Sequence, residues 1–188
     1  MERLDKILAG TGRWSRREVK ELIRQRRVLL DGLPADSPER KIDPNTAVIQ
    51  VDGVPVAYRR YTYVLLHKPA GVLSAVEDSR HTTVMDLQPQ ELKRQGLSPV
   101  GRLDKETEGL LLLTNDGDLA HRLLSPRSHV DKVYYARTQG TPTAEDAARF
   151  AEGITLEDGL HCLPAVLRVC GENEVLLTLR EGKFHQVK

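Results

Sequence analysis

The sequence predicts a protein of the α+β class, in which a short helical segment precedes a longer stretch of β-strands and helices. Apolar residues recur at helical spacing twice within residues 1–30 of the 188-residue chain. Later apolar runs, such as Leu110–Leu113 and Val175–Leu179, are short and lie next to turn residues, as β-strands do. We therefore expect both helices and strands, each confined to short segments.

The two predicted N-terminal helices depend on different signals. Leu4, Ile7 and Leu8 lie on one face of the first helix. Ser15 and Glu18 have the spacing of a capping box, in which each side chain accepts a hydrogen bond from the other residue's backbone, so the second helix should begin after Ser15. Strands are expected at residues 28–30 and 48–51, each followed by an Asp-Gly turn.

Positive charge is concentrated in this helical segment. Residues 1–30 contain nine Lys or Arg and four Asp or Glu, although the net charge of the whole chain is only +1. A basic segment on a nearly neutral chain favours a polyanionic partner, and the alternative is a helix face that only aids solubility. The candidate phosphate contacts in this segment are Arg3, Lys6, Arg16, Arg17 and Lys20.

The same segment resembles a known RNA-binding module. Its motifs Arg3-Leu4-Asp5-Lys6, Ser15–Lys20 and Asp31-Gly32 are similar to those of the αL module, which a small-subunit ribosomal protein and tyrosyl-tRNA synthetases share. This resemblance implies a domain at residues 1–58 that contacts RNA phosphates without reading base sequence. Residues 59–188 are then expected to form a second domain.

Strand and helix signals alternate through that second domain. Strands are expected at residues 63–66, 110–113, 131–136, 165–169 and 175–179, and helices at residues 83–87, 119–124 and 143–152.

The stretch from Gly101 to Gly117 carries the clearest chemical signal. It reads G-R-L-D-K-E-T-E-G-L-L-L-L-T-N-D-G, so that Asp104 lies on a loop ahead of an apolar strand. Rigid strands commonly hold reactive groups in this way, although an ion pair with Arg102 is an alternative. The string resembles the signature of the RsuA-type pseudouridine synthases, which modify ribosomal RNA. The resemblance implies that Asp104 is catalytic and that Arg102 fills the space vacated by a flipped base.

Two further segments resemble motifs of this family. His67-Lys68-Pro69-Ala70-Gly71 is similar to the entry of its catalytic domain, with His67 in place of the usual Asn, and makes Lys68 a candidate phosphate contact. Lys132-Val133-Tyr134 is similar to its second motif, which implies that Tyr134 contacts the target base and adds Lys132 to the candidate RNA contacts. Tyr135 should point to the opposite face of the sheet.

The last eight residues, Glu181–Lys188, are similar to the third motif of the family. In that motif the final basic residue forms an ion pair with the catalytic Asp, which implies a pair between Lys188 and Asp104. Family members normally continue beyond this motif, so we expect the C-terminal part of the catalytic domain to be missing.

The resemblance implies the architecture and the reaction together. The αL module should precede a catalytic domain with a mixed, mainly antiparallel sheet and flanking helices. The reaction breaks the N-glycosidic bond of a uridine, rotates the base and rejoins it through carbon, with Asp104 as nucleophile at the sugar or base at C2′. It needs no redox change, so neither a cofactor nor a metal is expected. The stretch Val72–Val84 is similar to members that act on small-subunit (16S) rRNA.

Two other functions remain open from the sequence. A non-catalytic RNA-binding or ribosome-assembly factor could retain this fold, but the combination of Asp104, Tyr134 and Lys188 favours the enzyme. A glycosidase would need two opposed carboxylates, whereas Asp104 and Glu108 are only close in sequence.

Composition predicts the cellular setting. Cys162 and Cys170 match neither a disulfide framework nor a zinc pattern, which indicates free thiols in a reducing compartment. No apolar run reaches membrane-spanning length, and the N-terminus is charged from Glu2 onward. We expect a cytoplasmic monomer with no membrane partner.

Overall fold

The computed structural model describes residues 1–128, 130–156, 159–183 and 186–187. Two helices lie near the N-terminus, where apolar spacing and the capping box predict them. Helix α1 spans Leu4–Gly10 and α2 spans Arg16–Arg24. The predicted capping box is confirmed, because Ser15 Oγ accepts from Glu18 N (3.2 Å) and Glu18 Oε2 accepts from Ser15 N (2.6 Å). The described chain divides into two units, Met1–Gly117 and Asp118–Lys188.

Six short strands pack around α1 and α2. They are β1 (Glu2–Arg3), β2 (Val28–Leu30), β3 (Leu33–Pro34), β4 (Lys41–Ile42), β5 (Ile49–Val51) and β6 (Val54–Pro55). Strand β1 pairs with β4, and the other four form an antiparallel sheet in the order β3-β2-β5-β6. Both predicted Asp-Gly turns are confirmed: Asp31-Gly32 and Asp52-Gly53 have positive φ at both positions, as a two-residue hairpin turn of type I′ requires.

The rest of the first unit is a three-stranded antiparallel sheet with one helix. Its elements are β7 (Tyr63–Lys68), α3 (Gln90–Arg94), β8 (Ser98–Pro99) and β9 (Gly109–Thr114). The sheet order is β7-β9-β8, so β9 is central. Leu111 and Leu113 of β9 point into a core that also contains Val84, Met85 and Leu97. The predicted apolar strand at residues 110–113 is therefore confirmed and lies at the centre of its sheet.

The described residues of the second unit form one antiparallel sheet and two helices. Its elements are α4 (Gly117–Leu124), a 3₁₀ turn (Pro126–Ser128), β10 (Lys132–Arg137), α5 (Ala144–Glu152), β11 (Val166–Gly171) and β12 (Glu174–Leu179). The sheet order is β10-β12-β11. Thr143 caps α5 through Asp146, which confirms the predicted start of that helix. Taken over the described residues, short helices and antiparallel sheets confirm the α+β class.

The expected helix at residues 83–87 is wrong. Thr83 and Asp86 exchange hydrogen bonds, from Thr83 N to Asp86 Oδ2 (2.9 Å) and from Asp86 N to Thr83 Oγ1 (3.3 Å), and the segment forms turns. Pro89 disfavours helical geometry at Gln88, so a continuous helix cannot form through this point. The helix of this region is α3, which begins after Pro89 and which the sequence analysis missed.

No helix in the described part of the chain has both the length and the apolar character needed to cross a membrane.

Asp5, which is buried in α1, should make the protein less stable at acidic pH. Arg3 donates two hydrogen bonds to its carboxylate, at 3.0 and 2.8 Å, and these lower the pKa of Asp5 below its usual range. A lowered folded-state pKa stabilises the protein above the ordinary carboxyl pKa, and this contribution is lost as the pH falls through the folded-state value. We expect Asp5→Asn to lower the free energy of unfolding by about 2 kcal/mol at pH 7.

Denaturant unfolding from pH 7 to pH 3 measures this effect. The difference between wild type and Asp5→Asn should shrink below about pH 4, where carboxylates ordinarily protonate. Asp52→Asn is the control, because its pair with Arg27 is exposed and Asn also tolerates the positive φ at that position. Equal losses from the two variants would contradict the prediction.

Candidate active site and nucleic-acid interface

The Asp104 loop joins β8 to the central strand β9. Asp104 is partly exposed, and Arg102 is exposed two residues earlier. The backbone ahead of the loop is tied to β9, because Val100 N donates to Leu112 O (2.7 Å). Thr107 N donates to Asp104 O (3.0 Å) and closes a turn directly after the acid. The structure thus presents a carboxylate accessible to a substrate on a loop with a rigid base.

A buried lysine supports this loop. Lys68, the last residue of β7, is fully buried. Its ammonium group donates hydrogen bonds to the backbone carbonyl oxygens of Pro69 (2.9 Å), Lys105 (3.0 Å) and Thr107 (2.8 Å). Two of these carbonyls belong to the turn that follows Asp104. The lysine therefore ties β7 to the Asp104 loop.

The burial of Lys68 corrects the expectation that it contacts phosphate. Its ammonium group is enclosed and already donates three hydrogen bonds, so it is not on the surface that RNA can reach. Burial lowers the pKa of Lys68, while the Glu106, Glu108 and Asp104 carboxylates act in the opposite direction. Lys68 is a structural cation close enough to Asp104 to interact with it electrostatically.

A serine holds the loop from the other side. The Ser74 hydroxyl donates to Leu103 O (2.8 Å) and accepts from Leu103 N (3.0 Å), so it binds both polar groups of the residue before Asp104. Ser74 is buried, and the backbone around it is closed by hydrogen bonds from Leu73 N to Thr82 O and from Val84 N to Leu73 O. This contact was not predicted from the sequence. Its only signal was a small hydroxyl residue shortly after a Pro-Gly turn.

For the RNA modification that the sequence resemblance implies, we expect Ser74→Ala to lower kcat about tenfold with little change in KM, because a small displacement of the candidate acid slows chemistry without removing RNA contacts. Initial steady-state rates at several RNA concentrations measure both quantities. Ser79→Ala is the control, since Ser79 is exposed in the same loop. A change confined to KM would mean that Ser74 serves RNA binding and not the position of Asp104.

Tyr134 and Tyr135 lie on opposite faces of β10, as predicted. Tyr134 pairs with Leu177 of β12 and is partly buried against the core of the second unit, whereas Tyr135 is 55% exposed. Tyr134 belongs to the second unit and Asp104 to the first. Lys132, at the start of β10, is partly buried, and its ammonium group donates to Val130 O (3.1 Å).

The third motif is organised around a buried glutamate. Glu181 Oε1 accepts hydrogen bonds from Leu163 N (2.8 Å) and from Gln186 Nε2 (2.7 Å). Gln186 Oε1 in turn accepts from Lys183 N (2.9 Å). Lys188, with its expected ion pair to Asp104, lies outside the described residues. The role of Glu181 in ordering this motif was not predicted.

The N-terminal cations that were predicted to contact RNA are all exposed but differ in their partners. Arg3 pairs with Asp5 and Glu39, and Lys6 pairs with Glu2. Three cations of α2 differ from these: Arg16, Arg17 and Lys20. Among the described residues, no carboxylate lies within 4.0 Å of their charged groups. Helix α2 therefore presents three exposed cations that no neighbouring carboxylate neutralises.

Comparisons with known proteins agree with this geometry. The profile of the RNA pseudouridylate synthase family matches residues 62–188, and that of the S4 domain matches residues 2–48. An uncharacterised RNA pseudouridine synthase of Bacillus subtilis is 47% identical over 99% of this chain and 80% of its own length. A crystal structure of a pseudouridylate synthase matches with a TM-score of 0.63 and 31% identity, covering all of this chain and 81% of that one.

Two further relatives carry the names of ribosomal enzymes. Ribosomal small subunit pseudouridine synthase A of Pseudomonas aeruginosa is 39% identical over 99% of this chain and 81% of its own length. Ribosomal large subunit pseudouridine synthase B of Bacillus subtilis is 36% identical over this entire chain and 78% of its own length.

The chain therefore belongs to the RNA pseudouridylate synthase family and carries an N-terminal S4 domain. It is an RNA-binding enzyme of the isomerase class, and the predicted family, fold and enzyme class are confirmed.

Proposed function

We propose that this enzyme converts a uridine of ribosomal RNA to pseudouridine and that Asp104 is its catalytic residue. The supporting observation is the Asp104 loop, where a partly exposed acid lies on a backbone that the buried Lys68 and Ser74 side chains hold from both sides. A loop whose backbone is held in one position can direct its carboxylate at one carbon of a flipped nucleotide. Relatives named for both ribosomal subunits support ribosomal RNA as the substrate.

The proposed reaction is an isomerisation in which atoms and electrons balance within the nucleotide. The bond from C1′ of the ribose to N1 of uracil breaks, the base rotates, and a bond from C1′ to C5 forms. The proton on C5 is lost, and N1 gains a proton. Asp104 acts either as the nucleophile at C1′ or as the base at C2′.

Three other residues have proposed roles around Asp104. Tyr134 packs its ring on the flipped uracil, because a tyrosine combines a flat apolar face with a polar hydroxyl. Lys188 neutralises the Asp104 carboxylate. Arg102, exposed on the Asp104 loop, takes the place of the base in the RNA stack.

RNA binding is proposed to begin on the N-terminal domain. We assign residues 1–58 to the RNA-binding domain and residues 59–188 to the catalytic domain, and the separate matches to the S4 and synthase profiles support this division. Arg16, Arg17 and Lys20 supply most of the phosphate contacts, with smaller contributions from Arg3, Lys6 and Lys132. The enzyme acts as a cytoplasmic monomer.

Small-subunit rRNA is the proposed target, because the stretch Val72–Val84 resembles that of small-subunit enzymes. Pseudouridine mapping tests both the proposed activity and the proposed target. The wild-type chain is incubated with 16S and 23S rRNA, naked and partly assembled, and both RNAs are mapped. Conversion of one 16S uridine is expected. Conversion only in 23S rRNA would overturn the target, and RNA binding without conversion would instead favour the assembly factor.

A further inference from the structure

A close backbone contact joins the S4 domain to the catalytic part of the first unit. The turn after α1 contains Gly12, which is buried and has a φ of +78°. A Cβ atom at Gly12 would lie 1.9 Å from the carbonyl oxygen of Glu91 in α3 and 2.8 Å from its carbonyl carbon. Backbone atoms cannot rotate away as a side chain can. Only glycine therefore allows α3 to approach the S4 domain this closely.

Gln95 connects three segments at the same place. Its side-chain amide donates to Thr11 O (3.0 Å) in the S4 domain, and its side-chain oxygen accepts from Thr62 Oγ1 (2.7 Å), just before β7. Asn115, just after β9, donates to Gln95 O (3.4 Å) and accepts from Thr62 N (2.9 Å). Gln95 thus links the S4 domain to the start of β7 and the end of β9, the strands whose other ends adjoin the Asp104 loop.

Arg94 adds a contact to the start of α2. Its guanidinium group donates to Arg13 O (3.3 Å) and lies 4.0 Å from the carboxylate of Glu18, the capping residue of that helix. On the S4 side, these contacts involve only the turn between α1 and α2 and the first turn of α2. The cations Arg16 and Arg17 remain exposed beside them.

We propose that this contact region, the Gln95 junction (Gly12, Thr62, Gln95 and Asn115), determines which uridine the enzyme modifies. The junction fixes the distance and direction from the basic face of α2 to Asp104. RNA bound on α2 then presents to Asp104 only a uridine at one offset. If the S4 domain were attached only by a flexible linker, it would present uridines at many offsets, and each would have a lower effective concentration near Asp104. This inference rests on the proposed function and adds the origin of its site selectivity.

Gly12→Ala tests the inference, with Gly32→Ala as the matched control. Gly32 lies in the same domain with a similar φ of +84°, but nothing lies within 4 Å of the position that a Cβ atom would take there. Both variants place an alanine at a similar positive φ, and only Gly12→Ala forces α3 away. Gln95→Ala is the second test variant, since it removes two hydrogen bonds without strain and serves if Gly12→Ala fails to fold.

The first measurement is the anisotropy decay of Trp14, the only tryptophan of the chain, which lies in the S4 domain next to the junction. In wild type and Gly32→Ala it should follow the rotation of a body larger than the domain. In Gly12→Ala and Gln95→Ala a faster component should appear. An unchanged decay in both test variants would overturn the inference, because the junction would not be what holds the domain.

The second measurement is pseudouridine mapping of the same variants on rRNA. Gly12→Ala and Gln95→Ala should lose about tenfold or more in kcat/KM at the target uridine and gain conversion at other uridines. Their Kd for rRNA should stay within about twofold of wild type, because the cations of α2 are intact. If the test variants had a mobile S4 domain but modified the same uridine as wild type, the inference would be overturned and the proposed function would stand. A wild type that converts no uridine would instead overturn the proposed function.

Discussion

Asp104→Asn is expected to abolish pseudouridine formation while leaving the fold intact. Asparagine has the same shape as aspartate but can serve neither as a nucleophile nor as a base, so the rate should fall about 10⁴-fold or more. Asp104 is partly exposed and is not a core residue, so the unfolding midpoint should stay close to that of wild type. Single-turnover conversion of rRNA, together with Kd for the same RNA, measures the loss of chemistry separately from binding.

Glu108→Gln is the control for this prediction. Glu108 is an exposed acid four residues beyond Asp104 on the same loop, so the variant changes local charge without touching the proposed catalytic group. It should convert rRNA at nearly the wild-type rate. An equal loss in both variants would indicate a pair of cooperating carboxylates, the arrangement that glycosidases use.

Lys68→Met is expected to cause the largest loss of stability. Methionine matches the length of lysine, but it leaves the carbonyl oxygens of Pro69, Lys105 and Thr107 without the donor they share. Because buried acceptors that lose their partners are strongly unfavourable, the free energy of unfolding should fall by about 3 kcal/mol or more. Denaturant unfolding measures it. Lys105→Met is the control, because it removes a cation from the same loop but leaves the Lys105 carbonyl in place.

The salt dependence of RNA binding separates this structural role from a phosphate contact. A lysine that neutralises a phosphate contributes roughly one unit to the slope of log Kd against log salt. Folded Lys68→Met should keep the wild-type slope, since the ammonium group is enclosed. Lys20→Met, on the exposed face of α2, should reduce the slope. If Lys68→Met reduced it equally while keeping wild-type stability, Lys68 would be a surface contact.

Local signals explain which elements could be predicted from the sequence. The starts of α2 and α5 depend on residues three apart, Ser15 with Glu18 and Thr143 with Asp146, and both helices begin where those pairs predict. The Asp-Gly turns likewise depend on two adjacent residues that tolerate positive φ. The helix expected at residues 83–87 failed because the Thr83 and Asp86 side chains form a turn and Pro89 follows.

The contacts that shape the Asp104 loop could not be predicted in this way. Lys68 is bound to carbonyls 37 and 39 residues away, and Ser74 to a residue 29 away. Before folding, Lys68 is one lysine beside a Pro-Gly turn, and nothing in its neighbours indicates burial. The Gly12 contact is similar, because the sequence shows a glycine just after the first helix but not the Glu91 carbonyl against it.

Motifs and residues a few positions apart were therefore sufficient to predict the family, the candidate catalytic acid, the basic helix and most of the helices and strands. Tertiary structure alone decided that Lys68 is buried, that Ser74 holds Leu103 and that Gln95 joins the S4 domain to the strands around Asp104. The physical reason is that a polar group's surroundings, and hence whether it binds RNA or the protein's own backbone, are set by segments distant in the chain that only folding brings together.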